Sequence, residues 1–315
     1  MGEQREEMLR APPGAGRLDR FLAEALPELS RARLQALVRE GEVEVDGAQA
    51  RPSTRLRGGE EVRVRVPPPP PTELTPEAIP LRLLYEDDDL VVLDKPAGLV
   101  VHPARGHRDG TLVNALLHAL PGLGEEGLGE RPGIVHRIDK GTSGLLVVAR
   151  NDRTLRALQA AFAVHDIERA YLAVVFGVPR FLEGRIESLL GRHPRDRMRF
   201  ASVLAGGKRA VTHWRKLGER VGVALLACEL ETGRTHQLRV HLSEAGHPIV
   251  GDALYRGRAR LPAALQGWEE RLDHQLLHAA RLGFVHPTTG ARLSFEAAPP
   301  VDFQAFCAEA GLSLP

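Results

Sequence analysis

Apolar positions along the chain fall into two regimes. Near the N-terminus, Leu18, Phe21, Leu22, Ala25 and Leu26 keep the three- and four-residue spacing of one helix face, and "LSRARLQALV" starts a second helix with Ser30 as its expected N-cap. "VEVDG" then reads as a strand running into a turn, and the alternating Val62, Val64 and Val66 of "EEVRVRV" as a half-buried strand. Two helices leading into a small sheet make a minimal domain over 16–66, preceded by a disordered segment, 1–15. Five prolines, Pro67 to Pro71, follow. They favour polyproline II and span ~15 Å at ~3.1 Å per residue, a semi-rigid spacer inside a linker taken as 67–80.

From 81 to 315 the pattern changes. "LRLLYEDDDLVVLDKPAGLVVHP" alternates strand, acidic turn, strand and Pro-Gly loop, and "TLVNALLHAL" is a short helix. "GLLVVAR" is a buried strand, and "NDRTLRALQAAFAVH" a helix capped by Asn151. "RAYLAVVFGVP", "RAVTHWRKL" and "VALLACELETG" are strand candidates, "RTHQLRVHLSEAG" a helix ending at Gly246, and "HAARLGFVHPTTGARLSFEAAPP" a closing hairpin. Strands outnumber helices without regular alternation. The fold class is therefore α+β: a small α/β N-terminal domain, then a larger domain on a mostly antiparallel mixed sheet with flanking helices and loops.

Composition narrows the function classes. With 315 residues, 43% hydrophobic, the chain can bury a substantial core. The two cysteines, Cys228 and Cys307, are too few for a disulfide framework or a thiolate metal site. No apolar run approaches a membrane span, and the polar N-terminus lacks the apolar core of a signal peptide, so a cytoplasmic protein without membrane contact is expected. A net charge of +1 does not by itself call for nucleic acid, though an average can hide a basic face.

Several chemistries lack their signatures. "GTSG" has not the spacing of a nucleophile elbow, and "GGKR" lacks the rest of a phosphate-binding loop. The pairs His236/His241 and His274/His278 come without the Glu or Cys partners of zinc sites, so no metal is expected. What stands out is "IVHRIDKGTSG", with Asp139 between Arg137 and Lys140. An aspartate followed by small hydroxyl residues is commonly a turn former. Against that reading, "ETGRTHQLRVHL" supplies Arg234 and Arg239 with His236 and Gln237, and a guanidinium facing a buried carboxylate aims it and favours its charged form, as a nucleophilic aspartate requires.

"HRIDKGTSGLLVVAR" resembles the active-site signature of the RluA family of RNA pseudouridine synthases, with Ile138 in place of the usual Leu and His136 marking this branch. "LDKPAGLVVHP", "RAYLAVVFG", "TGRTHQLRVHLSEAGHPIVGD", "LLHAARLGFVHP" and "FEAAPP" extend the resemblance. The N-terminal domain resembles the RNA-binding fold first described in ribosomal protein S-four, whose second helix begins against RNA. Together the two are most similar to the D-type branch, which acts on the helix 69 hairpin of large-subunit ribosomal RNA. The resemblance implies a cofactor-free isomerisation of uridine to pseudouridine on a flipped-out base. It implies Asp139 as nucleophile, Arg239 as its partner and Tyr171 packed on the target base, with attack on ribose or uracil left open. RNA contacts are implied by the resemblance at Ser30, Arg31 and Arg33 and expected at His136, Arg137, Arg234, His236 and, from the charge run "GGKR", Lys208, although the arginines of the second helix are equally read as a solvated helix end and the charge run as a solvated rim. The expected partner is ribosomal RNA and the expected state a monomer. An RNA-binding protein without chemistry and a hydrolase releasing uracil are the competing classes.

Overall fold

The computed structural model describes residues 5–26, 29, 31–67, 74–103, 109–123 and 132–315, with the backbone alone at 5 and 31–33. The chain divides into two units, Met1–Glu73 and Leu74–Pro315. Ser30 and four of the five linker prolines, 68–71, lie outside the described residues, as do the side chains of Arg31 and Arg33.

The first unit contains β1 (Arg5–Arg10), β2 (Gly16–Arg17), α1 (Leu18–Ala25), α2 (Arg31–Glu40), β3 (Val43–Val45), β4 (Ala48–Gln49), β5 (Arg55–Leu56) and β6 (Glu61–Val66). Four strands form a sheet in the order β1-β6-β3-β4, and β2 pairs with β5. The spacing of Leu18, Phe21 and Leu22 places them on the face of α1 that packs with Leu34, Leu37 and Val38 over Val43, Val62 and Val64. Period two sends Arg63 and Arg65 to the opposite face, beside Glu6 and Glu44 at 3.3 Å. Asp46 and Gly47 both take positive φ, the backbone of a type I′ hairpin turn.

The N-terminal segment differs from the expected disorder. Residues 5–10 form β1, antiparallel to β6 with Glu7 opposite Val64 and Leu9 opposite Val62. Without it β6 would present an open edge, and Leu9 with buried Ala11 extends the small core. A polar composition hid a strand whose partner supplies most of the apolar face. Residues 74–80, expected in the linker, are likewise tied to the larger unit, because the Asn114 side chain donates to the Thr75 carbonyl and the Glu77 carboxylate accepts from the Gly110 amide.

The second unit runs β7 (Arg82–Glu86), β8 (Leu90–Lys95), α3 (Leu112–Ala119), β9 (Ser143–Ala149), α4 (Asp152–Ala163), β10 (Glu168–Phe176), β11 (Glu183–Arg192), β12 (Phe200–Ser202), β13 (Lys208–Arg220), β14 (Val223–Leu230), α5 (Gln237–Glu244), α6 (Trp268–Arg271), β15 (Leu277–Val285), β16 (Arg292–Glu296) and α7 (Val301–Ala310). Its sheet follows the order β12-β11-β13-β14-β10-β15-β9-β8-β7, with β16 on β15. The pairing of β9 with β15 is parallel and the other strand pairs are antiparallel, the mixed sheet expected from the pattern.

Helices cover both faces, which explains the unbroken apolar run "YLAVVF" in β10. Tyr171, Ala173 and Val175 point to one side, with Leu112 and Leu116 of α3 and Leu238 and Leu242 of α5. Leu172, Val174 and Phe176 point to the other, with Trp268, Phe303 and Phe306. Helix α4 is capped as expected by the Asn151 side chain, which accepts from the Thr154 amide at 2.9 Å. Where β9 meets β15, Gly144 lies at φ +111°, and a Cβ there would fall 2.3 Å from the Ala279 carbonyl oxygen. The last glycine of "GTSG" is thus a close-approach residue that lets the segment after Asp139 join the sheet.

Candidate active site

Asp139 sits in the loop leading into β9. The turn there is closed by its main-chain carbonyl, which accepts from the Thr142 amide at 3.0 Å, and its side chain takes no part. The carboxylate instead reaches Arg239 on the first turn of α5, Nη1 to Oδ2 at 3.0 Å. A hundred residues of sequence separate the two.

Arg239 is itself clamped. Its Nε and Nη2 donate to the two oxygens of Asp252 at 2.7 and 2.9 Å, and the Asp252 side chain is fully buried. Asp252 Oδ1 also accepts the amides of Leu254 and Tyr255, so one carboxylate fixes both a turn and the guanidinium. Burial alone would lower the Arg239 pKa; Asp252 and then Asp139 more than offset it and raise it above the ordinary value. Gly251 is required beside this aspartate: at φ +80° its missing Cβ would lie 2.1 Å from the His274 carbonyl.

Around this pair a cleft of about 470 Å³ is lined by His136, Arg137, Asp139, Tyr171, Arg234, His236 and Arg239, with Phe162 and Arg169 on the wall. Tyr171 is 8% exposed and reaches the cleft from the central strand; burial first raises its pKa. His136 stacks on Phe162 at 4.4 Å, and its Nε2 accepts the Val147 amide at 3.3 Å. That acceptor role holds the ring neutral, and burial, then Arg169, pushes its pKa down to about 3. His236, at φ +58°, places Nε2 4.0 Å from Asp139 Oδ1 while Nδ1 meets the Tyr255 hydroxyl at 2.8 Å. The loop before α5 is fixed by buried Gln237, which bonds Thr232, Thr212, the Val211 carbonyl and the Arg234 amide.

Of the residues singled out in the sequence, the cleft therefore collects Asp139, Tyr171, Arg239, His136, Arg137, Arg234 and His236. Lys208 opens β13, exposed and outside the cleft lining. Ser143 is buried, bonded to His278 Nδ1 at 2.9 Å, while His278 Nε2 meets the Ala297 carbonyl, so this serine does not face the cleft. His241 is engaged by Ser188 and Thr212, and His274 by Asp273 and Asp302.

Three contributors escaped the sequence reading: Asp252, Arg169 and Lys95. Lys95 is fully buried, and its ammonium donates to the carbonyls of Pro96, Leu99 and Lys140 at 2.7, 2.9 and 3.2 Å. It pins the Pro-Ala-Gly loop to the carbonyl of Lys140, the residue after Asp139. Burial lowers its pKa, opposed by Asp139 and Asp94. Its signal was available: one of four lysines in an arginine-rich chain, ending an apolar strand.

A carboxylate aimed by a clamped arginine, beside a buried tyrosine in a cleft large enough for one nucleoside and rimmed by basic groups, is an arrangement that can hold a nucleic-acid base against a charged group. Comparison with known proteins agrees. The model of RNA pseudouridylate synthases matches residues 89–244, and that of the S4 domain residues 16–62. The ribosomal large subunit pseudouridine synthase D of Xanthomonas campestris is 47% identical over 297 residues, covering 91% of this chain and 87% of that one. An RNA pseudouridine synthase of Chloroflexus aurantiacus is 48% identical over 304 residues, 96% of this chain and 93% of its own. The solved human RNA pseudouridylate synthase domain containing 4 is 25% identical, with a TM-score of 0.60 over 74% of this chain and 94% of that one. The chain belongs to the RNA pseudouridylate synthase family, in the RluA branch that its motifs resemble, and is an isomerase acting on RNA.

Proposed function

We propose that this enzyme converts specific uridines to pseudouridine in the helix 69 hairpin of large-subunit ribosomal RNA, with Asp139 as nucleophile. The observation that carries the reading is the Asp139 carboxylate held 3.0 Å from an arginine that Asp252 clamps, in the cleft that Tyr171 lines. The choice of RNA is supported by relatives named ribosomal large subunit pseudouridine synthase D.

In the reaction the bond from uracil N1 to ribose C1′ breaks and one from C5 to C1′ forms. The proton leaves C5 and N1 gains one, so atoms and electrons balance without cofactor or metal. Extrusion of the uridine costs a few kcal/mol of stacking, and Arg137, exposed at the cleft mouth, fills the vacated space or holds the backbone. Arg239 aims Asp139; Tyr171 packs on the base; His136, Arg234 and His236 line its approach. Arg31 and Arg33 on α2, Ser30 before it, and Lys208 contact RNA outside the cleft, and the basic stretch 192–199 adds phosphate contacts. The working enzyme is a cytoplasmic monomer with an RNA-binding domain that includes β1 and runs through residue 66, and a catalytic domain from residue 74 to 315. Among the described residues no helix is long and apolar enough to cross a membrane.

Treating unmodified ribosomal RNA with the purified protein and mapping products by carbodiimide labelling tests the reading. Stable adducts at helix 69 uridines support it. Pseudouridine in another RNA only would overturn the substrate, and free uracil with abasic RNA would overturn the isomerisation.

A further inference from the structure

Arg169 on β10 is nine-tenths buried, yet among the described residues no carboxylate pairs with it. Its Nε is buried with no hydrogen-bond partner, and its Nη2 makes one long contact, 3.3 Å, to the Leu230 carbonyl. The guanidinium lies over the Phe162 ring, 5.3 Å from its centre, and both residues line the cleft. Space for it is made by Gly233, where a Cβ would fall 2.7 Å from Nη1. Glu231, at the end of β14, is held by His213 and Arg209 on β13. A buried cation without a counter-charge is costly, and burial lowers the Arg169 pKa. Chains keep such a group where a ligand supplies the missing partner.

The ligand chemistry follows from position and charge. Arg169 and Tyr171 are two residues apart on one strand and face the same cleft, and Tyr171 feels both Arg169 and Asp139. A nucleotide whose base packs on Tyr171 with its ribose at Asp139 therefore directs a neighbouring group toward Arg169. RNA offers one anion per nucleotide, the phosphodiester, and guanidinium matches it by paired N–H donors. We propose that Arg169, in the space left by Gly233, anchors the phosphodiester adjacent to the target uridine and so selects for a charged backbone at that linkage. The proposal deepens the reading of the cleft as an RNA site and does not depend on Asp139 being the nucleophile.

The test is a set of stem-loop RNAs that the wild-type enzyme converts, each with one uncharged methylphosphonate linkage near the target uridine. In the wild type one linkage should raise KM roughly ten- to hundredfold, the size of a charge-assisted contact. Arg169→Gln should show the same rise with the unmodified RNA and no further rise at that linkage. Its kcat should stay close to wild type, and its thermal midpoint should be unchanged or higher, because an unpaired buried charge has been removed. Gly233→Ala, which crowds Nη1 while keeping the arginine, should raise KM in the same linkage-specific way. The proposal is overturned if methylphosphonate profiles of wild type and Arg169→Gln coincide, or if Arg169→Gln loses stability with unchanged KM. Loss of sensitivity to 4-thiouridine at the target instead would mean that Arg169 reads the base, and would also overturn it. Total inactivity of the wild type would count against the functional reading alone.

Discussion

Replacing Arg239 by alanine removes the group on which the geometry of the cleft converges. Three charged hydrogen bonds disappear, one to Asp139 at 3.0 Å and two to Asp252 at 2.7 and 2.9 Å. Asp139 is 17% exposed in its side chain and recovers some hydration, whereas Asp252 at 0% cannot. Truncating one partner of a buried ion pair costs about 3–5 kcal/mol, and the two amides that remain on Asp252 place this case toward the lower end. Turnover should fall by roughly 10²–10³, the loss of about 3–4 kcal/mol of positioning and electrostatic stabilisation. Denaturant unfolding and single-turnover pseudouridine formation separate the two effects. Adding Asp252→Ala to Arg239→Ala removes the stranded charge and should recover about 1–3 kcal/mol of stability without restoring turnover. Arg239→Lys keeps the charge but not the fork that bridges two carboxylates, and should fall between. An Arg239→Ala protein with unshifted unfolding and turnover within about threefold of wild type would refute the reasoning.

Lys95→Met keeps the volume but leaves the carbonyls of Pro96, Leu99 and Lys140 without their donor; removing a buried charge offsets part of that, so a loss of roughly 2–4 kcal/mol is expected by denaturant titration, with reduced turnover from the loosened loop. His136 has a folded pKa near 3, below its unfolded value of about 6.5, so acid protonates the unfolded chain first and stability is lost as pH falls through that window. Denaturation at pH 5 against pH 7.5 should show a loss of roughly 1–2 kcal/mol that His136→Gln reduces. RNA affinity should fall linearly with log salt, by ~0.7–0.9 decades per decade of salt for each phosphate neutralised, and deletion of 1–66 should weaken binding to structured RNA more than turnover on a short stem-loop.

The sequence was informative where one periodicity governed both burial and function. The valines of β6, the run in β10 and the cap at Asn151 follow from local spacing. β11 was missed because it lies toward the sheet's edge with a single buried position among its ten, so "EGRIESLLGR" alternates exposed, mostly charged residues with partly buried, mostly small ones and shows little apolar periodicity. β1 was missed because its apolar complement resides in β6. The motifs named Asp139 and Arg239 and, through the resemblance, their pairing across 100 residues, but the clamp by Asp252 depends on a turn that only tertiary structure brings to α5. For Arg169, what matters is the partner it lacks among the described residues, and no pattern of residues displays an absence.

The most direct measurement is pseudouridine formation by Asp139→Asn. Asparagine keeps the side-chain shape and can still accept a hydrogen bond from Arg239, so the fold and RNA binding should persist, verified by unfolding and by a binding isotherm. Because the Asp139 carbonyl closes the turn, the substitution leaves the loop intact. Product formed from unmodified ribosomal RNA under single-turnover conditions should drop below detection. Substantial pseudouridine from a folded Asp139→Asn protein, free of wild-type enzyme, would contradict the account.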